Sequence, residues 1–269
     1  MARGSEKRWK RLFGLPAILL ALSVLMTPAG PAGAVPAQAE QTAHPVRVEV
    51  LPRTEQPAGQ MKSAPTEERE KPQTKIVPAV ETPVEDTYFS DTVFLGDSRT
   101  EGFSLYSGLK EGEYLFSVGA TVESVFTKKT QETDQGKVAI LDALAELDYK
   151  KVYIMLGANE LGWPKAEKYK EQYGKIIDRV REDHPDAQVV IQSILPVSAR
   201  QEAKKSYVNN GRIAVYNQLL EELAAEKDCP YLNVAEAVVD ETGCLRADWT
   251  FDGIHLNVDG CRAWLDYLK

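Results

Sequence analysis

Five short apolar runs alternate with longer stretches of helical periodicity, and that alternation constrains the fold of this chain more than any other feature. The runs are TVFLG (92–96), YLFSVG (114–119), KVYIMLG (151–157), AQVVIQSILP (187–196) and PYLNV (230–234). They are brief, β-branched or aromatic, and mostly apolar throughout, as strands buried on both faces must be. DQGKVAILDALAEL (134–147) places Val138, Leu141, Leu144 and Ala145 on one helical stripe. KYKEQYGKIIDRVRED (168–183) does the same with Tyr169, Tyr173, Ile176, Ile177 and Val180, and VNNGRIAVYNQLLEELAAEK (208–227) with Ile213, Tyr216, Leu220 and Leu223. VDGCRAWLDYL closes the chain as a further helix. Strands alternating with helices predict right-handed crossovers and a parallel sheet covered on both faces. Ligands of such sheets sit just outside the carboxyl ends of the strands.

Only part of the chain takes this pattern. Arg3, Lys7, Arg8, Lys10 and Arg11 precede an almost wholly apolar run, Leu12 to Met26, and small residues follow down to Ala37-Gln38-Ala39. That order predicts a secretory signal peptide over 1–39, with an uncleaved anchor as the alternative. The destination is then secreted or extracytoplasmic, with a cell-envelope tether if the segment stays on. Residues 40–86 are rich in Pro, Glu, Gln and Thr and lack apolar periodicity, which predicts a disordered tether. Residues 87–269 suffice for one domain with its own core.

Removing residues 1–39 takes away five bases and one acid and moves the formal charge from −8 to −12. So acidic a chain argues against nucleic acid and anionic membrane surfaces as partners. Cys229, Cys244 and Cys261 permit at most one internal disulfide and one free thiol. Their spacing does not suggest a metal site.

The loops after the first three strands begin GDS, GA and GANE, and the one before the last helix reads FDGIHL. Ser98, leaving the first strand, has two readings: a helix N-cap, or a nucleophile held above the sheet edge. A serine hydroxyl needs a neighbouring base, usually His. His44 lies in the tether, and His184 reads as a partner of a helix C-terminus. His255 remains, with Asp252 three residues before it, a spacing that lets the carboxylate accept Nδ1–H and aim Nε2 at the serine. An Asp–His pair that only caps the last helix is the competing reading, and a metal site from Asp252, His255 and Asp259 lacks a supporting cluster. Gly119 and Asn159 offer a backbone N–H and a side-chain NH₂ for an oxyanion, or else ordinary turn roles.

Taken together, GDSRTEG (96–102), the glycine of SVGA (117–120), GANE (157–160) and DGIHL (252–256) resemble the GDSL, or SGNH, hydrolase family over 91–269. The resemblance implies a flavodoxin-like α/β/α sandwich with a five-stranded parallel sheet, and ester hydrolysis without metal or cofactor. It implies Ser98 as nucleophile, His255 as base, Asp252 as its orienting carboxylate, and Ser98, Gly119 and Asn159 as oxyanion donors. Two departures stand out. Glu160 replaces the usual Asp of the third block, and Arg99 puts a cation after the serine, expected at the site rim. The G-x-S-x-G elbow of other hydrolases is absent.

The expected function is an exported serine esterase acting on small acyl esters, acetyl above all, of glycans or envelope material. Arg99, Trp163 and Trp249 are candidate substrate contacts, although either tryptophan could instead cover the core edge. An O-acetyltransferase would use the same triad with a different acceptor. A non-catalytic glycan-binding module would keep the fold without the chemistry.

Overall fold

The computed structural model describes residues 83–269. The expected signal peptide and all but the last residues of the expected tether lie outside the described residues. Of those last residues, Val84 donates its N–H to the Lys269 carbonyl at 3.0 Å, and Asp86 opens a 3-10 turn that ends at the buried Phe89.

Strand β1 (Thr92–Gly96) leads into helix α1 (Ser98–Tyr106), and β2 (Glu113–Phe116) follows. A hairpin, β3 (Gln131–Thr133) and β4 (Gly136–Val138), precedes the short α2 (Ile140–Ala145). Then come β5 (Lys151–Met155), α3 (Ala166–Asp183), β6 (Gln188–Gln192), α4 (Ala199–Glu202), α5 (Asn210–Glu226), β7 (Tyr231–Leu232) and α6 (Val258–Leu268). The main sheet has the order β2-β1-β5-β6-β7 and every pairing in it is parallel. This is the doubly wound order in which the chain reverses direction between β1 and β5.

Both faces of the sheet are covered, which is why its strands lack polar alternation. Val93 and Leu95 face one core with Val152, Ile154, Val189 and Ile191, beneath α3 and α5. Phe94 faces the other, with Tyr153, Met155 and Val190. On that side Phe103 of α1 meets Trp264 of α6 with ring centroids 4.4 Å apart. The buried Trp264 indole donates to Gln192 Oε1 at 2.9 Å, so its one polar atom is satisfied.

One expected element needs correction. The helix expected over 134–147 shrinks to six residues, because Thr133 and Gly136 close a hairpin and Val138 pairs with Gln131. The four-residue α4 carries no apolar stripe and was not foreseen. Among the described residues all three cysteines are free thiols, two of them buried, and no helix is long and apolar enough to cross a membrane.

Candidate active site

The loops after β1 and β5 flank the point where the chain reverses, and the candidate residues gather there. Gly96 must be glycine. A Cβ at that position would stand 2.1 Å from Thr100 Oγ1 and 2.5 Å from the Met155 carbonyl. The close approach lets α1 start immediately beyond the sheet edge. Its N-cap is Asp97, whose Oδ1 accepts from the Arg99 N–H at 2.9 Å, so the capping role is filled and Ser98 is the first helical residue.

Ser98 and His255 lie 157 residues apart in sequence, yet Ser98 Oγ stands 2.9 Å from His255 Nε2. His255 Nδ1 in turn lies 2.6 Å from Asp252 Oδ2. The other oxygen of Asp252 accepts the backbone N–H groups of Ile254 and His255, each at 2.8 Å. Partial burial disfavours the Asp252 carboxylate, but the donors from the His255 ring, the His255 backbone and Ile254 outweigh it and hold the pKa at about 2. With that oxygen charged, Nδ1 carries the proton and donates. The Nε2 lone pair is then left to accept from the Ser98 hydroxyl.

Gly119 is exposed at φ +73°, a conformation that favours glycine, and its N–H has no acceptor among the described residues. Asn159 is more committed. Its Nδ2 donates to the Ala120 carbonyl at 2.8 Å and to Asp97 Oδ2 at 3.1 Å, so both hydrogens are engaged. Asp97 therefore joins the helix bearing Ser98 to the amide of Asn159 through its two oxygens. The Asp of GDS was the available signal for this link, and its pairing with Asn159 was not anticipated.

Glu160 is fully buried. Its Oε1 takes the Val122 N–H at 2.6 Å, bracing the loop that carries Gly119, while Oε2 has no partner among the described residues. Burial pushes its pKa up to about 8, against the Val122 N–H, which favours the charged form.

Arg99 is corrected. It exposes only 4% of its surface and lies beneath the site, not at its rim. Nη1 donates to the Leu195 carbonyl at 2.8 Å, whereas Nε and Nη2 are buried without partners among the described residues. Burial lowers its pKa, opposed by the charges of Asp97 and Asp252.

Both tryptophans pack partly buried against a core. Trp163 is half-buried against the core with Lys168 Nζ 5.0 Å from its ring centre. Trp249 packs on the other core beneath Arg246, at 4.3 Å. His184 sets Nε2 3.2 Å from the Ala145 carbonyl at the end of α2. Asp252, His255 and Asp259 do not form a metal-binding group, and among the described residues no three His, Cys, Asp or Glu side chains do.

This arrangement can do one kind of chemistry. It offers a hydroxyl with a base, a carboxylate behind the base, and an unengaged N–H nearby. The model of the GDSL-like lipase/acylhydrolase family matches residues 94–263. No curated protein matches the chain. Among solved structures, a Streptococcus pneumonia protein provisionally named a platelet activating factor is 25% identical with a TM-score of 0.54, over 66% of this chain and 81% of its own. A Bacteroides fragilis protein provisionally named an acylhydrolase is 18% identical with a TM-score of 0.52, over 70% and 88%. An acetyl xylan esterase is 16% identical with a TM-score of 0.51, over 66% and 96%. The last two show the shared fold.

Proposed function

The chain belongs to the GDSL-like lipase/acylhydrolase family, and on that premise we propose that it is an exported serine esterase that removes small acyl groups, acetyl above all, from glycans or envelope material. One observation carries the reading. The bonds Ser98 Oγ to His255 Nε2 and His255 Nδ1 to Asp252 Oδ2, at 2.9 and 2.6 Å, make a continuous hydrogen-bonded chain behind the serine.

Ser98 Oγ attacks the acyl carbon as its proton passes to His255 Nε2, and the carbonyl electrons move onto oxygen. The Ser98 and Gly119 N–H groups receive that oxyanion. Asn159 joins them by sharing the hydrogen now aimed at Asp97, the longer of its two bonds. Collapse breaks the ester C–O bond, and the proton on His255 goes to the departing alcohol. Water then attacks the acyl-enzyme, with His255 taking its proton and returning one to Ser98. Asp252, held at a pKa of about 2, stays charged throughout and steadies the imidazolium.

Export is supported by the basic start and the apolar run over 12–26. A small acyl group is supported by the lack of a long apolar insertion in 87–269. The test is p-nitrophenyl acetate turnover by wild type and Ser98→Ala, with a serine-directed phosphonate as label. Turnover by wild type alone, and one label on Ser98, are expected. Full activity in the variant, or labelling elsewhere, overturns the assignment.

A further inference from the structure

Residues 198–212 run from one side of the site to the other. At one end the Ser198 N–H donates to the Gly253 carbonyl at 2.9 Å, and Arg200 Nη2 to the Phe251 carbonyl at 2.6 Å, which sets the segment against the turn carrying Asp252 and His255. At the other end Tyr207 lies over Gly162, where a Cβ would come within 3.2 Å of its ring, and Arg212 donates to the Leu161 carbonyl. That end abuts the loop that begins with Asn159. The segment is a wall joining the base loop to the proposed oxyanion loop.

The wall is rich in cations, with four Lys or Arg against one acid. Arg200, Lys204, Lys205 and Arg212 are all exposed, and none has a carboxylate partner among the described residues. Elsewhere Lys151, Lys168, Lys170, Lys175, Arg179 and Lys227 are each paired, whereas Lys110, Lys128, Lys129, Lys165 and Arg262 are exposed without a carboxylate partner among the described residues. The one acid in the stretch, Glu202, is half-buried and accepts the Asn210 N–H at 2.7 Å. A chain of net charge −8 thus keeps an unneutralised positive strip beside its candidate site. Next to that strip Tyr207 leaves 57% of its surface open, an aromatic face of the kind that takes an apolar ring face with a polar rim.

Resting on the esterase reading, we infer that this wall binds the alcohol side of the substrate and selects esters carried on a sugar ring that also bears an anionic group. Tyr207 supplies the platform for the ring, and Lys204 and Lys205 supply the countercharge.

The test does not need catalysis. Binding to the full chain is measured by calorimetry with oligogalacturonate, its neutral methyl ester, and phosphorylated mannan oligosaccharide, at low and high salt. An anionic sugar should bind about tenfold tighter than the methyl ester at low salt, an advantage that shrinks as salt rises. A preference for oligogalacturonate assigns the anion as carboxylate, and a preference for the mannan as phosphate. The double variant Lys204→Gln, Lys205→Asn should lose the preference; Asn tolerates the φ of +54° at 205. Tyr207→Ala should weaken all three ligands. Thermal melts of both variants should match wild type, so that the change read is one of binding. Equal binding of charged and neutral sugars, or an unaltered preference in the double variant, overturns the inference. If wild type fails to turn over p-nitrophenyl acetate, the esterase reading falls, while the binding comparison still decides the ligand class.

Discussion

Asp97 Oδ2 accepts from Asn159 Nδ2 at 3.1 Å across the point where the chain reverses between β1 and β5. Its other oxygen caps the helix that begins with Ser98. One fully buried carboxylate therefore fixes the candidate nucleophile relative to the candidate oxyanion amide. Burial raises its pKa, and the charge of Arg99 works against that rise.

Replacing this acid separates its two roles. Asp97→Asn still caps α1, since Asn is a good N-cap. It removes a charge that Arg99 feels without pairing to it, and disturbs a buried hydrogen bond, so stability should fall by about 1–3 kcal/mol. With its one oxygen capping α1, it turns an NH₂ donor toward the Asn159 amide where the acceptor was, so kcat should drop at least tenfold. Adding Arg99→Met, similar in length and uncharged, should restore much of the melting temperature and none of kcat. Recovery of kcat in the double variant would show that Asp97 acts through stability alone.

Glu160 predicts a stability profile of definite sign. Its folded pKa of about 8 lies above the ordinary 4.5, so the fold prefers the protonated form. Its contribution is fully present below pH 4.5 and is lost as pH rises toward 8, at up to about 1.4 kcal/mol per pH unit. Glu160→Gln, neutral at every pH, should flatten that part of the curve and be the more stable protein at pH 8. Urea midpoints across the range measure it. Parallel curves for the two proteins would mean that Glu160 does not titrate there.

Gly96→Ala should be among the most damaging single-methyl changes. The new Cβ would sit 2.5 Å from the Met155 carbonyl, which is backbone of the adjacent strand and cannot step aside. A loss of about 3 kcal/mol or more is expected in chemical denaturation. Gly102, with nothing near its Cβ position, is the control. There the same change should stabilise α1 by about 0.5–1 kcal/mol.

The contrast between Gly96 and Arg99 shows which parts of this molecule could be read from residue order. Strand ends and the glycine-rich turns beyond them are local, and they sufficed to bring Ser98, Asp252 and His255 to one place. Val138 misled because an apolar residue at helical spacing also suits a strand edge, and the Thr133–Gly136 turn decided for the hairpin. Arg99 misled for a different reason. A guanidinium after a serine looks exposed until the loop after β6 supplies the Leu195 carbonyl that draws it under the helix. The Asp97–Asn159 bond joins residues 62 apart, and spacing alone does not report which side chains a crossover brings together.

Asn159 is the residue on which the proposed mechanism makes its most exposed claim. Both of its hydrogens are engaged, by Ala120 and Asp97, so a purely structural role would satisfy its chemistry. If that role is all, Asn159→Ala should lower the melting temperature through the loosened 120–122 loop and leave kcat per folded molecule nearly unchanged. If the amide is shared with a developing oxyanion, the loss falls on the transition state. Removing one such donor lowers kcat by ~10²–10³, about 3–4 kcal/mol of barrier. KM should move little, because the ground-state carbonyl carries less charge for the amide to meet. Asn159→Asp sharpens the comparison, since it replaces the donor with a carboxylate facing Asp97 and should be as damaging to kcat or worse. The measurement is kcat and KM on p-nitrophenyl acetate for both variants, with thermal melts of the same samples. A kcat within about threefold of wild type in well-folded Asn159→Ala would return Asn159 to the loop, leaving the Ser98 and Gly119 N–H groups to hold the oxyanion alone.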